Sequence, residues 1–119
     1  MRWVFALFSL LIFTSTACAA AGSSVLYEID NQQYEGYFIL PAPNSPMVLL
    51  IHDWDGLTDY EKKRADMLAE MGYAVFAADL FGKGVFPESQ EERRRLTEAL
   101  KKDRTRMRAL LRRPGARVA

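Results

Sequence analysis

The chain of 119 residues holds one cysteine and one histidine, and it contains no run of about 18 consecutive apolar residues. The lone cysteine, Cys18, lies among the first 21 residues. Once that segment is removed, no thiol remains for a disulfide, a thiolate nucleophile or a cysteine-ligated metal. An oxidising compartment is compatible with that absence. Internal repeats and low-complexity tracts are also missing, which excludes solenoid and linker architectures.

The apolar run that does occur, Trp3 to Phe13, is shorter than the roughly 20 residues a membrane-spanning helix needs. Arg2 precedes it, and Ala17-Cys18-Ala19 or Ala19-Ala20-Ala21 supplies a small-residue cleavage site. This pattern reads as a signal peptide over residues 1–21, with export to the periplasm or the extracellular space and no membrane association after cleavage. A lipid-anchored Cys18 fits less well, because Ser15 stands where a large aliphatic residue would be expected. Residues 22–119 are then at most one small domain.

A net charge of +1 conceals an asymmetry. Residues 22–87 carry four basic and ten acidic side chains, a balance of −6, and residues 88–119 carry eleven basic and five acidic ones, a balance of +6. Arg93 to Arg95 and Lys101 to Arg108 are interleaved with Glu and Leu at helical spacing, which describes a solvated helix face rather than a nucleic-acid surface.

Val25–Asp30 and Tyr34–Leu40 are β-prone runs separated by Asn31-Gln32-Gln33, the pattern of an antiparallel hairpin. Pro41, Pro43 and Pro46 punctuate a turn, and Met47–Ile51 follows as a continuous apolar run suited to a strand covered on both faces. Thr58 and Glu61 form a capping-box pattern, Gly72 closes the helix that starts there, and Tyr73–Ala77 is the next strand. Met47 to Ala77 thus spells a β-α-β unit with a right-handed crossover expected, the signature of an α/β fold. Asp79 to Pro87 reads as a loop, with Asp79 shaping it. Ser89 to Glu92 repeats the capping-box pattern, and Leu96, Leu100, Met107, Leu110 and Leu111 predict one long amphipathic helix down to Pro114-Gly115. Residues 116–119 read as the start of another strand.

His52-Asp53-Trp54-Asp55-Gly56-Leu57 falls where the first buried strand meets its helix, and ligands of open α/β sheets bind at such strand ends. From Tyr34 to Leu111 the chain resembles the dienelactone hydrolase family. The resemblance is carried by the hairpin, the Pro-broken turn, His52 to Leu57, Arg64-Ala65-Asp66-Met67-Leu68-Ala69, Gly72-Tyr73 and Ala78-Asp79-Leu80-Phe81-Gly82-Lys83-Gly84. It implies an α/β-hydrolase sheet, here incomplete, and a small ester or lactone as substrate, with no metal or organic cofactor. It also implies a Ser or Cys nucleophile followed in chain order by Asp and His, and oxyanion-hole amides, one of them from the loop after the early strand.

On that resemblance the Trp54 backbone N–H is the oxyanion-hole candidate. Asp53 takes the place of an acid that contacts the nucleophile, with Asp in place of the more usual Glu shortening the reach. Asp53 and Asp55 also suit plain turn formation. His52, Asp55 and Gly56 are expected to orient the loop, and His52 is not expected to be the catalytic base, because the family's catalytic His comes late in the chain. Arg93 to Arg95 could include a cation for a substrate carboxylate, but solvated arginines are the expected reading. No Gly-x-Ser-x-Gly or Gly-x-Cys-x-Gly elbow occurs, so no member of the triad is expected among these residues. Arg113 to Ala119 resembles the approach to that elbow, and the expectation is a fragment, a frameshifted reading or a prematurely stopped copy. The alternative is a small exported non-catalytic binding module derived from the same fold.

Overall fold

The computed structural model describes residues 19–116. The signal peptide expected over 1–21 therefore lies outside the described residues except at its last three positions; of the further strand expected over 116–119, Ala116 is instead the last residue of a helix, and 117–119 lie outside the described residues. Four strands and three helices follow in the order β1 (Ser23–Ile29), β2 (Gln32–Ile39), β3 (Met47–Ile51), α1 (Asp59–Glu70), β4 (Ala74–Ala78), α2 (Gln90–Lys102) and α3 (Arg104–Ala116). They form an α/β arrangement around one mixed sheet of order β1-β2-β4-β3. β1 pairs antiparallel with β2, β2 antiparallel with β4, and β3 parallel with β4.

The hairpin is tighter than the sequence suggests. Asp30 and Asn31, at φ 51° and 60°, make a two-residue turn, and Gln32 and Gln33 join β2 instead of the loop. Asp and Asn tolerate this left-handed backbone, and two such residues in a row match the twist of the flanking strands.

The β3-α1-β4 unit has the expected parallel pairing. α1 starts as the capping pattern predicts: Thr58 N–H donates to Glu61 Oε2 (2.8 Å) and Tyr60 N–H donates to Thr58 Oγ1 (3.3 Å). Thr58→Ala is expected to lower stability by about 1 kcal/mol, measured as a shift in the urea midpoint at unchanged m-value.

Two expectations are corrected. The long helix is two helices, because Asp103 ends α2 with a non-helical backbone (φ −98°, ψ 74°) while its Oδ1 accepts from Arg106 N–H (3.0 Å). Asp is a strong N-cap, and here the local hydrogen bond wins over continuous helix. At the start of α2, Ser89 Oγ accepts from Glu92 N–H as expected, but Glu92 reaches back to Glu88 N–H and not to the cap.

The second correction concerns β3, which is not covered on both faces. Val48 and Leu50 pack with Ile39, Ala65, Ala69 and Val75 beneath α1. Met47, Leu49 and Ile51 on the opposite face remain 47%, 42% and 51% exposed. The reason is the strand order: β3 stands at the edge of the described sheet, and α2 and α3 pack over β1, β2 and β4, where Tyr27, Ile29, Tyr34, Phe76, Leu100 and Leu110 form the larger core cluster. β4 is the strand buried along its whole length.

Three tyrosines of the hairpin are held neutral. Burial pushes the hydroxyls of Tyr27 and Tyr34 up, and burial together with the hydrogen bond to Asp66 pushes Tyr37 up to about 12. A tyrosine raised above its unfolded value of about 10 contributes stability that is complete below that pH and is lost as pH rises through the folded value. In a chain carrying Tyr60→Phe and Tyr73→Phe, which leaves the hairpin tyrosines alone, the urea midpoint is therefore expected to fall between about pH 10 and pH 12, with tyrosinate absorbance rising together with unfolding. Tyrosinate appearing near pH 10 while that chain is fully folded would contradict this.

Candidate active-site turn

The parallel strand β3 ends at Ile51, and the chain turns through His52–Leu57 before Thr58 caps α1. His52 is buried, and both ring nitrogens are engaged. Leu80 N–H donates to Nε2 (3.1 Å), so the ring proton sits on Nδ1, which donates to Asp53 O (2.6 Å). The ring also meets Phe81 edge-on, with centroids 4.7 Å apart. His52 thereby ties its own turn to the loop after β4.

Asp53 is exposed and folds over the turn, its Oδ1 accepting from Asp55 N–H (3.0 Å) while its carbonyl accepts from Gly56 N–H (3.4 Å). Trp54 lies at the tip, its side chain 45% exposed, and its backbone N–H has no hydrogen-bond partner among the described residues. Gly56 has φ +90°, and a Cβ there would lie 3.3 Å from Val85 O, so this position demands glycine for both conformation and space.

Beneath the turn, Asp79 is a buried carboxylate that collects backbone donors. Its Oδ1 accepts from Phe81 N–H and Gly82 N–H, and its Oδ2 accepts from Glu35 N–H, each at 3.0 Å. Tyr27 Oη closes the other side, accepting from Asp79 N–H (2.9 Å) and donating to Asp79 O (2.6 Å). β1, β2 and the loop after β4 are thus fastened at one residue, and the same loop holds His52 from below.

The arrangement also includes Arg93, which the sequence pattern groups with two solvated neighbours. Arg94 and Arg95 are exposed, but Arg93 reaches from α2 to form an ion pair with Asp55 and sets its guanidinium 5.8 Å from the Trp54 ring centroid. The Nε–Oδ1 contact is out of line for a hydrogen bond, so it acts as a charge pair. No local spacing links residues 55 and 93; only the packing of α2 onto the sheet brings them together.

A cavity of about 170 Å³ abuts the turn at Leu57 and continues past Asp79, Gly82, Lys83 and Phe86. Ligand cavities usually span about 300–1,000 Å³, so this cavity is smaller than such a site. Among the described residues no cluster of His, Cys, Asp and Glu could hold a metal ion, and no helix is long and apolar enough to cross a membrane.

The sequence model of the Dienelactone hydrolase family matches residues 34–119, the stretch that contains this turn and the Asp79 hub. The chain belongs to that family. Over 85 residues it is 32% identical to a protein of Aquifex aeolicus (strain VF5) named "Putative carboxymethylenebutenolidase", covering 68% of this chain and 36% of that one. Among solved structures it is similar to m3DLH, with a TM-score of 0.70 and 33% identity over 77% of this chain and 40% of the other. It is also similar to a dienelactone hydrolase-like promiscuous phosphotriesterase from metagenomic libraries, with a TM-score of 0.65 and 25% identity over 81% of this chain and 44% of the other. The chain spans between 36% and 44% of the length of these relatives, and within that span its strands and helices follow the α/β-hydrolase plan.

Proposed function

We propose that residues 22–119 are the oxyanion-hole-bearing part of a secreted carboxylic-ester or lactone hydrolase that works by covalent acyl transfer. The observation that carries this reading is the turn at the C-terminal end of β3, where the Trp54 backbone N–H has no hydrogen-bond partner among the described residues, with a cavity of about 170 Å³ bordering the same turn at Leu57. In the reaction, a Ser or Cys nucleophile attacks the substrate carbonyl carbon and the carbonyl π pair moves onto oxygen, where fixed N–H donors stabilise the charge. Collapse expels the alcohol or opens the lactone, and water releases the acyl group with a His passing the proton. Of these parts, the sequence supplies an oxyanion donor and an acid near it, Asp53. It contains no nucleophile elbow, so the reading includes inactivity of these residues alone.

The test is an assay of purified residues 22–119 against a chromogenic ester and a lactone. The expected result is turnover indistinguishable from buffer; hydrolysis that co-purifies with the chain would contradict it. Export through residues 1–21 belongs to the same proposal and is checked by the mass of the secreted product, expected to begin near Ala20 to Gly22.

The uncovered stripe of Met47, Leu49 and Ile51 favours a second reading, an exported non-catalytic binding module. A module should unfold cooperatively as a monomer or a defined oligomer. A hydrolase segment with a bare sheet edge should unfold cooperatively only when dilute and self-associate without a defined stoichiometry as concentration rises.

A further inference from the structure

We infer that Arg93 is a positioning residue: from α2 it holds the His52–Leu57 turn by charge at Asp55 and by its guanidinium at Trp54, and so fixes the direction of the Trp54 N–H. This inference rests on the reading of that N–H as an oxyanion donor.

A donor at the tip of an exposed turn is useful only if the turn is held still, because its advantage over water is that it does not reorganise when charge develops. The turn is anchored from inside by His52, whose ring engages the Asp53 carbonyl and the Leu80 N–H, and by Gly56 packed against Val85 O. Between these anchors lie Trp54 and Asp55, and the Asx bond from Asp55 N–H to Asp53 joins only residues of the turn itself. Among the described residues, Arg93 is the contact that reaches both from another element. Its side chain is 30% exposed and that of Asp55 44%, so the pair is partly screened and contributes little to global stability. Two contacts from one planar cation to adjacent residues nonetheless restrict the turn's rotation. Arginine suits this task because a planar, delocalised cation can pair with a carboxylate and lie near an aromatic ring at once, whereas a lysine ammonium is a point charge.

Trp54 and Trp3 are the two tryptophans of the sequence, so in the full chain carrying Trp3→Phe the fluorescence of Trp54 reports on the turn alone. Arg93→Ala is expected to shift Trp54 emission to the red and to raise its acrylamide quenching about twofold, with far-UV circular dichroism unchanged. Arg93→Lys should restore part of the lost holding, and Arg95→Ala, at an exposed neighbour that does not border Trp54, should show none of the effect. Asp55→Asn should move the signal in the same direction as Arg93→Ala, and the double variant should go no further than the larger single change, because both remove one interaction. If Arg93→Ala fails to fold, Asp55→Asn, which preserves side-chain shape, and Arg93→Lys carry the test. An unchanged Trp54 signal in those variants, or strictly additive effects of the two sites, would overturn the inference while leaving the oxyanion reading standing. Conversely, a hydrolase of this family that loses the Trp54 N–H without loss of kcat would overturn that reading and leave the clamp intact.

Discussion

Asp79→Ala is expected to cost about 3–9 kcal/mol, because it strips the acceptor from three backbone N–H groups and an unsatisfied buried donor costs about 1–3 kcal/mol. Those donors belong to Glu35, Phe81 and Gly82, on β2 and on the loop after β4. The Tyr27 hydroxyl bonds the backbone of the same residue, so loosening Asp79 also loosens β1. A domain of ordinary stability has about 5–15 kcal/mol in total, and the variant is expected to be largely unfolded or to melt at a far lower denaturant concentration. Asp79→Asn should be milder, since one amide oxygen can still accept from Phe81 and Gly82 while the amide nitrogen faces the Glu35 N–H. Urea unfolding followed by circular dichroism checks both; an Asp79→Ala chain within about 1 kcal/mol of the parent would show that the hub contributes little.

The elements defined by short-range chemistry were legible in the sequence. Thr58 and Glu61 announce α1 because a capping box is local, and the run Tyr73–Ala77 announces a strand, which the structure has at Ala74–Ala78, buried along its whole length. What the sequence leaves open depends on partners distant in the chain. Met47–Ile51 has the composition of a doubly covered strand, but its cover is set by strand order and by where α3 lies, neither of which is written within those five residues. Asp103 is one polar residue in a charged helix until its carboxylate is seen to accept from Arg106 N–H and divide the helix. At the site, the run His52 to Leu57 marks the turn by its position and by its resemblance to the family. The hub role of Asp79 becomes visible only with Glu35 and Tyr27 beside it, and that of Arg93 only with Asp55 and Trp54. Charge and aromaticity alone cannot separate Arg93 from its neighbours, because all three arginines share the same polar run.

The second large effect concerns chemistry and needs a nucleophile in the molecule. In a chimera where residues 34–119 replace the matched segment of a family member with measured ester hydrolase activity, the Trp54 N–H would be one of two fixed donors to the developing oxyanion. Removing one such donor costs about 2.7–4 kcal/mol of transition-state stabilisation, a loss of about 10²–10³ in kcat. The substrate's ground-state carbonyl meets the same donor less closely, so KM should change far less. Trp54→Ala is the natural control. It keeps the N–H and deletes the ring, and it should lose no more than about tenfold, through looser holding of the turn.

The decisive measurement is kcat for that chimera with the Trp54 amide replaced by a backbone ester, a change that deletes the N–H and keeps every side chain. A fall of about 10²–10³ at nearly constant KM, beside a modest effect of Trp54→Ala, is the predicted result. A folded chimera that hydrolyses nothing, or one whose kcat stays within about threefold after the N–H is deleted, would contradict the assignment of the β3–α1 turn to oxyanion stabilisation.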